Sequence, residues 1–93
     1  MLTKTMALEL GKNKIRVNSV NLGLVMTEFF SKMEGGATES TKAWEESLKH
    51  RFPLGQVWIP IEEAVRGILF VSSGATPMVT GAGFVHDGGY CAY

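Results

Sequence analysis

The stretch Arg16-Val17-Asn18-Ser19-Val20-Asn21-Leu22-Gly23-Leu24-Val25-Met26-Thr27 reads as a short strand, a glycine turn and the start of a helix. Ile15, Val17 and Val20 are apolar and β-branched. The run is short, as a buried parallel strand requires, and predicts a strand over Ile15 to Val20. Gly23 ends it, because glycine accepts backbone conformations and close approaches that a Cβ forbids. Thr27 carries the hydroxyl of a helix N-cap and opens a predicted short helix over Thr27 to Met33, with Phe29 and Phe30 behind it. A strand that passes to a helix through glycine is where open α/β sheets bind their ligands.

Working outward, Leu2, Met6 and Leu10 repeat on one helical face, and Gly11 reads as the C′ residue that ends that helix. Lys12 and Lys14 suit the negative end of its dipole. No N-cap precedes Leu2, so this helix reads as one whose beginning lies upstream. Downstream, Gly35-Gly36 breaks the helix that Thr27 opens. Thr38 or Ser40 caps a polar helix to about Arg51, with Trp44 and Leu48 on one face, and Pro53-Leu54-Gly55 ends it. Pro60 at the first helical position, Glu62 and Glu63 in the first turn, and the stripe Ile61, Ala64, Val65, Ile68, Leu69 predict the best-defined helix of the chain. Ser72-Ser73-Gly74 stops it. Met78 to Asp87 predicts a second strand, and Asp87-Gly88-Gly89 a turn. The expected order is α-β-α-α-α-β, with the two strands parallel and joined by a right-handed crossover.

The 93 residues allow one small domain with a modest core. Apolar residues make up 45% and charged residues 19%, a balance that fits a folded α/β segment rather than a disordered one. Nine basic and nine acidic residues cancel, and no basic run exists to hold nucleic acid. No apolar run is long enough to span a bilayer, and no signal-type apolar core follows the N-terminal lysines. The single cysteine, Cys91, has no partner within the chain, so a reduced, cytoplasmic setting is the expectation.

Five features, taken in order, resemble the C-terminal half of the short-chain dehydrogenase/reductase family. Leu2-Thr3-Lys4 with Ala7-Leu8-Glu9-Leu10 looks like the helix that follows the catalytic lysine, and Ile15-Arg16-Val17-Asn18 like the strand after it. Gly23-Leu24-Val25-Met26-Thr27 is similar to the segment that wraps the nicotinamide end of the cofactor. Pro53-Leu54-Gly55 followed by Pro60-Ile61-Glu62-Glu63-Ala64 resembles the helix before the last strand. Thr80-Gly81 and Asp87-Gly88-Gly89-Tyr90 look like that strand and its exit. Met1-Leu2-Thr3-Lys4, Lys14-Ile15-Arg16-Val17-Asn18 and Val25-Met26-Thr27 are most similar to the L-xylulose and dicarbonyl reductase branch.

The resemblance implies the C-terminal portion of a Rossmann-type doubly wound parallel α/β sheet, its last two parallel strands with flanking helices, with residues 1–93 forming part of one domain whose nucleotide-binding first half is absent. It implies NADP(H) as cofactor, a small sugar ketone or dicarbonyl as substrate, and a tetrameric assembly. Leu22, Gly23, Val25 and Thr27 fall on the cofactor-binding positions: Gly23 lets backbone approach a flat ring, Val25 offers its backbone to the carboxamide, and Thr27 reaches the carboxamide or pyrophosphate near a helix N-terminus. Read without the family, the same residues are a strand-to-helix turn with a threonine cap. Leu22 stands where the family has proline, which loosens the turn. Met26, Phe29, Phe30 and Trp44 fall on the mobile substrate loop. Ordinary packing is an equal contender for Phe29 and Phe30, and the stronger one for Met33.

The family's general acid is a tyrosine whose pKa a lysine four positions on lowers. Neither Tyr90 nor Tyr93 has such a lysine, and the glycine-rich nucleotide turn is missing too, so no catalytic residue is assigned. Lys4 reads as a solvated helix lysine. Gly81-Ala82-Gly83 fails as a dinucleotide fingerprint, because His86 replaces the third glycine and strand-like residues follow; close packing in the last strand is the expected role. His50 and His86 have no cysteine at metal-ligand spacing, so no metal site is expected. His50 reads as a surface residue and His86 as pointing out of its strand. Ser72-Ser73 lacks a nucleophile-elbow motif.

Two strands of a larger parallel sheet leave an open edge, and the isolated chain is expected to be marginal or to associate. Three functions follow: part of an NADP(H)-dependent carbonyl or xylulose reductase, inactive alone; a non-catalytic partner of full-length reductase subunits or a homo-oligomer, pairing through the last strand, the Ile61 to Val71 helix and Cys91-Ala92-Tyr93; or an α/β binding module without redox work.

Overall fold

The computed structural model describes residues 1–28 and 39–92. Helix α1 is Leu2–Leu10. Strands β1 (Ser19–Leu22) and β2 (Leu24–Val25) follow, then helix α2 (Glu39–Leu48), strand β3 (Trp58–Ile59), helix α3 (Ile61–Ser72) and strand β4 (Gly83–His86). The α/β class and the parallel pairing are as expected. The strands differ: four short segments form two parallel ladders, β1 with β4 and β2 with β3, where two longer strands were anticipated. Of the helix predicted over Thr27 to Met33, Phe29 to Met33 lie outside the described residues, as do Gly35, Gly36 and Thr38. Ser40 falls inside α2, which starts at Glu39.

In the main ladder Ser19 sits opposite Gly83, Val20 opposite Phe84, Asn21 opposite Val85 and Leu22 opposite His86. The predicted strand Ile15 to Val20 therefore starts four residues late, and Met78 to Ala82 is not strand either. Gly81 explains the delay. Its φ is +71°, so the chain turns there and cannot run beside residues 15–18 as a ladder. Side chains take over the pairing. The Val17 amide donates to Thr80 Oγ1 at 3.1 Å, and the Gly81 amide to the Val17 carbonyl at 2.7 Å. Asn18 Nδ2 donates to the Val79 carbonyl at 2.9 Å while its Oδ1 accepts the Ala82 amide at 3.1 Å. Arg16 donates to the carbonyls of Val71 (3.2 Å), Val79 (3.0 Å) and Ser73 (2.8 Å). Val71 and Ser73 lie at the end of α3, where carbonyls have no intrahelical partner and a cation is favoured.

Helix α1 continues past Gly11 as a 3₁₀ turn over Gly11–Asn13. Gly11 is right-handed, and Lys14, at φ 62°, is the residue that reverses the chain, not Gly11 as the sequence suggested. Leu2 and Met6 of the α1 stripe are exposed, and the buried residue of the helix is Ala7, which is not on that stripe. Helix α3 behaves similarly. Pro60 is extended (ψ 144°) and serves as N-cap, one position before the helix. Ala64 and Gly67 are its buried residues, while Ile61, Val65, Ile68 and Leu69 stay 42–61% exposed.

The close approach of α3 to β4 depends on Gly67. A Cβ there would stand 2.6 Å from His86 Nδ1 and 3.4 Å from Phe84 Cε1. His86 therefore points into the helix rather than out of the strand. Its Nε2 lies 3.2 Å from Glu63 Oε1 on the same helix, one turn before Gly67. His50 is on the surface, as expected.

Candidate functional site

At the end of the main ladder the chain passes from β1 to β2 through Gly23. The Gly23 amide donates to the His86 carbonyl at 3.0 Å and the Ser19 amide to the Ala82 carbonyl at 3.0 Å. Alternate amides of a parallel strand face the same neighbour, so the Leu22 amide points away from β4. A proline at position 22 would remove no rung of this ladder, and leucine there costs none.

Gly23 faces Asp87. A Cβ on it would stand 3.0 Å from both Cα and Cβ of Asp87 and 3.5 Å from Ile59 Cδ1. Asp87 is itself buried. Its Oδ1 accepts the Gly89 amide at 2.9 Å and its Oδ2 the Cys91 amide at 3.0 Å, which closes the turn into the 3₁₀ segment Tyr90–Ala92. Gly88 (φ 67°) and Gly89 (φ 91°) make that turn possible. Burial alone would raise the Asp87 pKa, but hydrogen bonds from the Cys91 thiol and from the amides of Cys91, Gly89 and Tyr90 outweigh it and hold the carboxyl below its ordinary value. Asp87 in turn raises the Cys91 thiol, first by that hydrogen bond. Cys91 is exposed and free, and the raised pKa disfavours its thiolate, the reactive form.

The turn after β4 packs on the segment that ends α2. Phe52 is buried and its ring centroid lies 5.1 Å from that of Tyr90, while the Arg51 guanidinium sits 4.7 Å over the Tyr90 ring. A Cβ on Gly89 would meet Pro53 at 2.9 Å. Thus Pro53 and the Asp87-Gly88-Gly89-Tyr90 turn, far apart in sequence, form one structural unit.

Between this unit and the β1–β2 junction lies a cavity of about 590 Å³, lined by Asn21, Leu22, Gly23, Leu24, Val85, Asp87, Tyr90, Cys91 and, from α2 and beyond, Trp44, Leu48 and Phe52. Leu22 and Gly23, expected at the cofactor, and Trp44, expected on the substrate loop, meet on this wall. Val25, Met26 and Thr27 are not on its wall. Phe29 and Phe30 lie outside the described residues. The wall is largely apolar, with Asn21, Asp87, Tyr90 and Cys91 as its polar side chains, and no lysine or arginine stands on it among the described residues. Among the described residues no group of histidine, cysteine and carboxylate side chains is placed to hold a metal, and no helix is long and apolar enough to cross a membrane.

Two contributors escaped the sequence reading. Strand β3 pairs Leu24 with Trp58 and Val25 with Ile59, and the Met26 amide adds a bond to the Ile59 carbonyl at 3.1 Å. The run Val57-Trp58-Ile59 ahead of Pro60 is β-prone and was the available signal. The sequence places Asp87 at the end of the second strand and the start of a turn; the strand ends at His86, and nothing local in the sequence marks the Asp87 carboxylate as buried.

Residues 1–91 match the family model described as enoyl-(acyl carrier protein) reductase. The chain belongs to the short-chain dehydrogenase/reductase family, and its fold is part of a Rossmann-type parallel sheet. L-xylulose reductase of Homo sapiens is 44% identical over 92 residues, a match that covers 99% of this chain and 35% of the relative. Carbonyl reductase (NADPH) 2 of Sus scrofa is 39% identical over 92 residues, with the same coverage. The solved structure of 4-hydroxyisoleucine dehydrogenase complexed with NADH superposes with a TM-score of 0.82 at 36% identity, over 99% of this chain and 35% of that one. The chain spans about a third of the length of the relatives it matches.

Proposed function

We propose that this chain is the C-terminal part of an NADP(H)-dependent reductase of small sugar ketones or dicarbonyls, and that residues 1–93 belong to a single partial Rossmann-type domain. The observation that carries the reading is the meeting of Leu22, Gly23 and Trp44 on one apolar cavity, in a chain similar along its whole length to xylulose and carbonyl reductases. The fit is to the nicotinamide end of the cofactor. Leu22 and Gly23, on the cavity wall, would hold the ring, and the Val25 backbone and Thr27, beyond that wall, would hold its carboxamide. Bound there, the cofactor supplies a hydride to the ketone carbon. This chain's residues would orient the ring and exclude water from it.

The test is a chimera. The chain replaces the matching third of human L-xylulose reductase, and the product is assayed with L-xylulose and either NADPH or NADH. NADPH-dependent reduction is the expected outcome. A folded chimera that binds neither nucleotide contradicts the proposal.

A second reading, a non-catalytic subunit that pairs with full-length reductase chains, is favoured by the exposed Ile61, Val65, Ile68 and Leu69 of α3. Co-expression with a full-length reductase distinguishes it: joint purification supports it, and separate elution ends it.

A further inference from the structure

Strand β2, the segment that carries Leu24 and Val25, is held by β3. Strand β3 is in turn held from the other side. The Trp58 indole N–H donates to Glu45 Oε2 on α2 at 3.1 Å, and the Trp58 ring lies 6.1 Å from that of Trp44 at 50°. Trp44 also lines the cavity, as Leu24 does. The contacts form a closed circuit, Leu24 to Trp58 to Glu45 and Trp44 and back to the cavity. Any movement of α2 against β3 must change the width of that cavity.

We propose that the Glu45–Trp58–Trp44 contact is a clasp that locks α2 to the β2–β3 ladder, which makes Trp58 a positioning residue that sets which ring fits the cavity. Trp58 does not line the cavity itself. It acts through its two neighbours that do, Leu24 and Trp44. Only the identity of the ring rests on the proposed function; the clasp stands on geometry and can fail or hold separately.

The test needs no ligand. Trp44 and Trp58 are the two tryptophans of the chain, so the near-ultraviolet circular dichroism reports their contact. Amide hydrogen exchange reports the ladders: Met26 for β2–β3 and Gly23 for β1–β4. Glu45→Ala removes the acceptor. It is expected to speed exchange at Met26 about tenfold, the size of one lost charge-assisted hydrogen bond, and to weaken the tryptophan signal while Gly23 keeps its rate. Glu45→Gln retains an acceptor oxygen and is expected to restore both. Trp58→Phe keeps a ring but no donor and should follow Glu45→Ala at Met26. Unchanged Met26 exchange in Glu45→Ala overturns the clasp. So does equal acceleration at Met26 and Gly23, which would mean general loss of stability rather than a local lock.

Discussion

Gly23 and Asp87 touch so closely that no side chain fits between them: a Cβ on Gly23 would stand 3.0 Å from both Cα and Cβ of Asp87. One of those atoms is backbone, so the neighbour cannot swing away. Gly23→Ala is expected to destabilise the protein by about 2 kcal/mol, the cost of overpacking a tight contact. Urea denaturation measures it. The same contact bears on function, because a displaced Asp87 would carry the Tyr90 side of the cavity with it.

Asp87 also makes stability depend on pH. Its carboxyl is held below the ordinary 3.8 by the bonds it accepts in the folded state. A group with a depressed folded pKa contributes stability above its unfolded pKa, and that contribution is lost as the pH falls through the folded value. The melting temperature is therefore expected to drop from about pH 4 downward, and Asp87→Asn to flatten that part of the profile while lowering the plateau above it. Asp87→Asn should also speed alkylation of Cys91 at pH 8, because the raised thiol pKa is chiefly Asp87's doing.

Helix α3 and strand β4 set a second steric test. Alanine normally gains about 1 kcal/mol over glycine inside a helix. At position 67 the new methyl would stand 2.6 Å from His86 Nδ1, and the ring is tied to Glu63 at 3.2 Å. Gly67→Ala is expected to destabilise by about 1–2 kcal/mol despite the propensity gain. Paired with His86→Ala, which removes the obstacle, the same change should become neutral or stabilising, and a double-mutant cycle reads the difference.

Arg16 donates three hydrogen bonds to carbonyls of Val71, Ser73 and Val79. Loss of all three in Arg16→Met, which keeps most of the apolar stem, is expected to cost about 2–3 kcal/mol. Arg16→Lys should recover less than half, since one ammonium cannot reproduce the fork of the guanidinium. Thermal denaturation of the pair of variants checks both.

Much of this architecture was legible in the sequence, for identifiable reasons. The β-branched residues before Gly23 and the amphipathic pattern after Pro60 placed a strand and a helix, because those signals are local. Asp87-Gly88-Gly89 marked a turn that two positive-φ glycines then make. What was not legible depends on contacts distant in sequence. Gly81 turns the chain and delays the ladder to Ser19, and Arg16 and Asn18 bridge the gap with side chains that the apolar pattern cannot register. His86 points at α3 because Gly67 leaves room for it. Leu22, Gly23 and Trp44 do line one cavity, but the sequence does not show what the missing Cβ of Gly23 makes space for, which is Asp87. Trp58 and β3 are too short a run to stand out before their partner Leu24–Val25 is placed beside them.

The most direct test of the central claim is the intact mass and activity of the native protein, captured with an antibody against Ile61 to Val71. A species of roughly three times 10.1 kDa that reduces L-xylulose or a dicarbonyl with NADPH is the predicted result, in keeping with a chain that covers 35% of its relatives. A 10.1 kDa species that forms no complex with a reductase, and shows no response to NADPH, would contradict it.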